Sequence, residues 1–144
     1  MDRSHDIERI VVAAQRLTRI AAAETHNEAP AAQWRTLSIL RTEGPLRLGE
    51  LATASRVTQP GMTRLVGQLA DAGLVARISD PSDSRAIVVE VTPAGVQALE
   101  AWLVQLGEAL APRFADLDDA DWAALTRAAE ILSARVASPA VAAR

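Results

Sequence analysis

The sequence contains no cysteine, no lysine and no tyrosine, and aromatic residues make up 3% of its 144 positions. Without a thiol the chain builds no disulfide scaffold, no zinc ribbon and no cysteine nucleophile. It therefore tolerates a reducing compartment. Its two histidines, His5 and His26, are too few to suggest a dedicated zinc site and read as surface residues. No apolar run reaches membrane-spanning length, and the opening Met1-Asp2-Arg3-Ser4-His5-Asp6 is too polar for a secretion signal. A soluble cytoplasmic protein without membrane association is the expectation. There is no phosphate-binding loop and no Ser/His/Asp or His/Glu cluster at catalytic spacing. No catalytic residue, metal or cofactor is assigned, and an enzyme is not expected.

With lysine absent, all 15 basic residues are arginine; they face 18 acidic residues, for a formal charge of −3. Arginine's planar fork suits phosphate and guanine, although high-GC coding produces the same bias. Net acidity argues against a purely electrostatic nucleic-acid binder, yet a local basic face remains open to the chain. The acidic excess is confined to residues 93–144, with 4 Arg against 7 acids, while residues 45–92 balance at 5 and 5. Alanine fills 30 positions and favours helix. The length suits one domain, or a small domain with a dimerisation element.

Ile7, Ile10, Val11, Ala14, Leu17 and Ala21 follow the 3-4 spacing of an amphipathic helix, with Ser4 as its expected N-cap. Asn27 to Pro30 reads as a break, and Pro30 opens a second helix carrying Trp34, Leu37 and Leu40. Gly44-Pro45 stops it. A short third helix is expected around Leu46 to Thr53, followed by a turn at Ala54-Ser55-Arg56.

The most informative stretch is VTQPGMTRLVGQLADAG, residues 57–73. Thr58 is suited to cap a helix, and Pro60 falls in the first turn, where its missing amide costs nothing. Met62, Leu65, Val66 and Leu69 form a stripe for burial, and Gly73 supplies a left-handed stop. The opposite face shows Gln59, Thr63, Arg64, Gly67 and Gln68, which are small or hydrogen-bonding groups. From Leu74 the period changes to two. Leu74–Ser79 and Ala86–Thr92 read as strands joined by the polar turn Asp80-Pro81-Ser82-Asp83-Ser84-Arg85. Thr92-Pro93 restarts helix, and Val96, Leu99, Leu103, Leu106 and Leu110 make a seam suited to the core or a subunit interface. Pro112 ends or kinks that helix. Asp118, with Asp121 three residues on, opens a last helix carrying Trp122, Leu125, Ala129, Leu132 and Val136, which Ser138-Pro139 ends.

Helix–turn–helix followed by a two-stranded hairpin is the winged-helix order, in which the second helix enters the major groove of double-stranded DNA. Gln59 and Thr63 suit base edges, with Thr58 and Gln68 beside them, while Gly61 and Gly67 permit close approach. Arg64 suits phosphate or guanine. Arg56 in the turn, Arg77 on the hairpin and Arg85 at its tip add charge along the groove wall, with Asp83 orienting Arg85. Each feature also has a plainer reading: Arg64 as a solvated helix residue, Asp83 and Arg85 as a turn pair, Asp80-Pro81 as turn chemistry. The Asp116, Asp118, Asp119, Asp121 cluster is better explained by helix capping than by cation binding.

QWRTLSIL at 33–40, LRLGELA at 46–52, VTQPGMTRLVGQLADAGLVAR at 57–77 and DPSDSRAIVVEVTPAG at 80–95 together resemble the MarR family of bacterial transcription regulators. The resemblance implies a mainly α fold with a small β-hairpin wing: a winged helix–turn–helix DNA-binding domain at 30–92 and a helical dimerisation region at 1–29 and 93–144. It further implies a homodimer on a pseudo-palindromic operator, acting as a repressor and released by a small lipophilic or phenolic anion. Trp34, Arg16 and Arg19 are the candidates for lining that ligand's cleft, although Trp34 equally suits core or dimer packing. Two departures stand out. Ser84 replaces a second basic residue beside Arg85, and Gly61 and Gly67 stand where many relatives carry side chains. The absence of cysteine excludes a thiol switch. A winged-helix module that binds protein instead of DNA is the alternative, and unchanged partner binding after loss of Arg64 and Arg85 would favour it.

Overall fold

A computed structural model describes residues 2–25 and 31–137. The expected break at Asn27–Pro30, the helix start at Pro30, His26 and the stop at Ser138-Pro139 lie outside the described residues. The chain forms two compact units, Met1–Ala109 and Leu110–Arg144. The element order is α1 (Arg3–Glu24), α2 (Ala31–Glu43), β1 (Leu46–Arg47), α3 (Leu48–Ser55), α4 (Gln59–Asp71), β2 (Val75–Asp80), β3 (Asp83–Val91), α5 (Pro93–Leu110), a single 3-10 turn (Ala111–Phe114) and α6 (Asp119–Val136).

Several local expectations change. Asp2, not Ser4, caps α1: its backbone is extended and its carboxylate accepts from the Ser4 amide at 3.0 Å, which puts Ser4 already inside the helix. The third helix begins at Leu48, because Leu46 and Arg47 pair with Val89 and Val88 of β3. The sheet is therefore three-stranded, in the order β1-β3-β2, and larger than a bare hairpin. Helix α3 also runs on through Ser55. The turn is left to Arg56, which sits in the left-handed region at φ 56°, ψ 41° while the Val57 amide reaches back to the Ala52 carbonyl at 3.0 Å. In the hairpin Asp80 pairs with Asp83, so only Pro81 and Ser82 remain as turn and Asp83–Arg85 belong to β3.

The core joins α2, α3, α4, the sheet and α5 through Leu37, Leu40, Leu51, Met62, Leu65, Val66, Leu69, Val75, Val89 and Leu99. Burial of these side chains contributes about 1.5–3 kcal/mol each before the entropy of ordering them. Thr36 and Ser55, both fully buried, face each other across α2 and α3 at 3.5 Å. Where the sheet returns to helix, Thr92 closes three elements at once. Its hydroxyl donates to the Gly73 carbonyl at 2.6 Å and accepts from the Gly95 amide at 3.1 Å, and its own amide donates to the Leu74 carbonyl at 3.1 Å. Gly73, at φ +76°, supplies the left-handed residue that ends α4.

Large apolar surface stays uncovered. Ile7, Ile10, Val11 and Val12 of α1 are exposed, as are Leu103 and Val104 of α5, and Ile7 reaches 63%. In the second unit α6 has no buried residue, and Trp122, Leu125, Ile131, Leu132 and Val136 are all exposed. Its Asp118 cap accepts from the Asp121 amide at 2.8 Å, and Phe114 and Trp122 lie with ring centroids 6.3 Å apart.

The close start of α5 generates a prediction. A Cβ at buried Gly95 would overlap the Leu74 carbonyl oxygen and come within 2.7 Å of Val91 Cγ2. Gly95→Ala is expected to destabilise the fold by about 1–3 kcal/mol, as overpacking does. Urea unfolding measures it, and a midpoint equal to wild type would contradict this docking of α5.

Candidate nucleic-acid interface

Helix α4 is built to show one face. Thr58, with extended backbone, caps it by accepting from the Gly61 amide at 3.2 Å, and Pro60 occupies the first turn. Met62, Leu65, Val66 and Leu69 are buried, which leaves Gln59, Thr63, Arg64 and Gln68 exposed on the other side. Thr63 donates its hydroxyl proton to the Gln59 carbonyl at 3.0 Å. Its hydroxyl proton is thereby committed, and the oxygen's acceptor capacity and the methyl group stay available to a partner.

The two glycines of this helix differ. A Cβ on Gly61 would stand 3.0 Å from both Thr58 Oγ1 and Val57 Cγ1, so its lack of a side chain serves the cap itself. Around Gly67 nothing lies within 4 Å of a built Cβ, and the space beside it is open.

Arg56 is exposed at the turn between α3 and α4, and Arg77 and Arg85 are exposed on the hairpin. Among the described residues none of Arg56, Arg64, Arg77 and Arg85 has a carboxylate partner. Asp83 accepts from the main-chain amide of Arg85 at 3.0 Å, so it shapes the backbone there and leaves the guanidinium unpaired. Gln59 and Arg85, separate in the sequence, line one groove of about 390 Å³ together with Arg47, Gly49, Glu50 and Ile87. Arg77 lies opposite Val89 and does not line it.

Sequence reasoning missed Arg47. Its Nε donates to Asp80 Oδ2 at 2.8 Å, and its Nη2 forms an ion pair with the same oxygen at 2.6 Å. Asp80 Oδ1 accepts from the Ser82 amide at 2.9 Å and from its hydroxyl at 2.8 Å. The Asp-Pro-Ser turn signal was visible in the sequence, but nothing there pointed to a partner 33 residues earlier. The Asp80 side chain is 12% exposed although it borders a hairpin turn, with the Arg47 guanidinium and Ser82 packed around its carboxylate.

A second cavity, of about 330 Å³, is lined by Trp34, Trp102, Leu99, Thr18, Ser38 and Arg35 among others. The two indoles stack with centroids 5.1 Å apart and planes 10° from parallel. The Trp34 Nε1 donor is buried without an acceptor. Arg16 and Arg19 are not among the lining residues; among the described residues the cation at this cavity is Arg35. Among the described residues no three His, Cys, Asp or Glu side chains come together as metal ligands, and no helix is long and apolar enough to cross a membrane.

Hydrogen bonds from the Ser82 amide and hydroxyl, followed by the bond and charge of Arg47, hold the Asp80 carboxyl below its ordinary value. A lowered carboxylate pKa contributes stability that is full above the unfolded value and is lost as pH falls through the folded one. Side-chain carboxyl NMR of Asp80 is expected to titrate below a free aspartate, and Arg47→Ala to move the midpoint upward. An unchanged midpoint in that variant would contradict the pairing.

Residues 30–87 match the model of the MarR family. An HTH-type transcriptional regulator of Mycobacterium bovis is 36% identical over 104 residues, covering 72% of this chain and 73% of that one. A transcriptional regulator of Thermotoga maritima superposes with a TM-score of 0.71 at 23% identity, over 90% of this chain and 93% of that one. BpsR of Bordetella bronchiseptica, whose DNA binding is regulated by 6-hydroxynicotinic acid, gives a TM-score of 0.58 at 25% identity, over 92% of this chain and 93% of that one. With an exposed polar helix face beside a wing of unpaired arginines, and with these relatives, the chain belongs to the MarR family and is a winged helix–turn–helix, DNA-binding regulator of transcription.

Proposed function

We propose that two copies of this chain bind a pseudo-palindromic operator as a repressor and release it when a small lipophilic or phenolic anion binds. The observation that carries the DNA half of this reading is the α4 face, with Gln59, Thr63, Arg64 and Gln68 exposed and, among the described residues, no carboxylate paired with Arg64. Arg56, Thr58 and Gly61 flank the start of that face, while Arg77, Asp83 and Arg85 serve the wing. Gln59 and Thr63 face base edges, Arg64 takes guanine or phosphate, and Arg85 reaches the neighbouring backbone or minor groove.

Self-association covers the apolar faces that one copy leaves open. The flanking segments, 1–29 and 93–144, carry them: Ile7 and Val11 in α1, Val104 in α5, Trp122 and Leu132 in α6. Exposed apolar residues repeating along one helix in this way mark an interaction face in a soluble protein. Two-fold symmetry then places the recognition helices about 34 Å apart, one duplex turn.

The Trp34 cavity supports the ligand half. Its size lies at the lower end of small-molecule sites, its walls are mostly apolar, and Arg35 supplies a cation for an anionic group. The buried Trp34 donor lacks an acceptor that a ligand oxygen would provide. BpsR, which is regulated by an aromatic acid, offers a precedent. The ligand acts by favouring a dimer whose reading helices no longer match one duplex turn.

A gel shift on DNA upstream of the chain's own gene tests the DNA half, with sedimentation reporting the dimer. Arg64→Ala is expected to cost about 1–3 kcal/mol if its fork holds guanine, or to lower the salt slope by about one if it holds phosphate. Wild-type binding by Arg64→Ala and Arg85→Ala combined would overturn the site. For the ligand half, salicylate or 6-hydroxynicotinate should quench tryptophan fluorescence in a Trp122→Phe background and release the DNA, and Arg35→Ala should weaken both effects. Release that survives loss of Arg35 unchanged would remove the cavity from the mechanism.

A further inference from the structure

The hairpin is held firmly only at its base. Val75 and Val89 are buried there and β1 contributes two paired residues, whereas every residue from Arg77 to Arg85 except Asp80 is exposed. A two-stranded ribbon without such support is marginal in its own right. The strand register also shifts between Ser79 and Asp80, an irregularity of the kind that re-aims a strand. Among the described residues the hairpin's one side-chain hydrogen bond to another element is that from Arg47 to Asp80. Arg47 in turn is fixed to the helix–turn–helix. It is the N-cap residue of α3, and its amide donates to Glu50 Oε1 at 3.1 Å.

From this geometry we propose that Arg47 is a positioning residue for DNA recognition. By holding Asp80 it sets the distance across the groove that separates Gln59 on α4 from Arg85 on the wing, and it does so without itself gripping the nucleic acid. The proposal rests on the operator-binding reading above. One strand of the duplex passes between the reading helix and the wing, and a wing already at its working distance loses less freedom on binding.

The proposal makes a prediction opposite in sign to simple electrostatics. Asp80 is a negative charge on a surface that meets a polyanion, so neutralising it and freeing Arg47 should tighten binding if charge alone mattered. Positioning predicts that Asp80→Asn weakens binding.

The test uses the full chain and a labelled operator fragment, with affinity read by fluorescence anisotropy across a salt series and folding checked by thermal melts. Wild type, Asp80→Asn, Arg47→Gln and the charge swap Arg47→Asp with Asp80→Arg are each measured with and without Arg85→Ala. Asp80→Asn is expected to lose about fivefold in affinity. Arg85→Ala is expected to cost about tenfold in wild type but less than about twofold once the clamp is broken from either side. The swap should restore both the affinity and the cost of losing Arg85. Tighter binding by Asp80→Asn, or a full Arg85 effect in the clamp-broken variants, overturns the proposal. Failure of wild type to bind would instead sink the reading beneath it.

Discussion

The rotation of α4 about its own axis is set by four side chains. Met62, Leu65, Val66 and Leu69 enter the core at 3-4 spacing, which leaves the helix one way to lie. Moving that stripe by one residue would turn the helix by about 100° and carry Arg64 toward the core. The chemistry of the exposed face thus follows from apolar packing on the hidden one. Both ends of the helix reinforce this: the Thr58 cap defines where it starts, and left-handed Gly73 defines where the chain turns into the sheet.

The charge arrangement leaves several arginines unneutralised in an acidic protein. The carboxylates of the hairpin turn and of the first turn of α3 are occupied within the fold: Asp80 by Arg47 and Ser82, Asp83 by the Arg85 amide, Glu50 by the Arg47 amide. Arg56, Arg64, Arg77 and Arg85 are left without partners among the described residues. Each acid that shapes the turn is thereby kept from neutralising an arginine needed outside. Since every cation is arginine, each of these groups offers a planar fork with several donors in place of a point charge.

What the sequence revealed was mostly local. The α4 stripe, the Gly73 stop, the Thr92-Pro93 restart and the Asp118 cap are each written within a few residues, and each is present in the structure. What stayed hidden depended on distant partners. Strand β1 is two residues long, too short to show a period, and exists through Val88 and Val89. Asp83 to Arg85 have turn composition yet extend a strand because Asp80 pairs across from them. The Trp34–Trp102 stack and the Arg47–Asp80 clamp join residues far apart in the chain, so no spacing rule reaches them. The cap of α1 lies two residues before the expected Ser4, since Asp2 and Ser4 are equally good capping types.

The open space beside Gly67 has a consequence for how this regulator can diverge. Its neighbours on the exposed face already carry hydrogen-bonding side chains, and an added Cβ there meets no atom within 4 Å. A replacement would gain helix propensity, on the order of 1 kcal/mol for alanine, without repacking anything underneath. Helix α4 therefore holds a vacant position on the face shared by Gln59, Thr63, Arg64 and Gln68, where a single substitution changes the exposed chemistry at no expense to the fold.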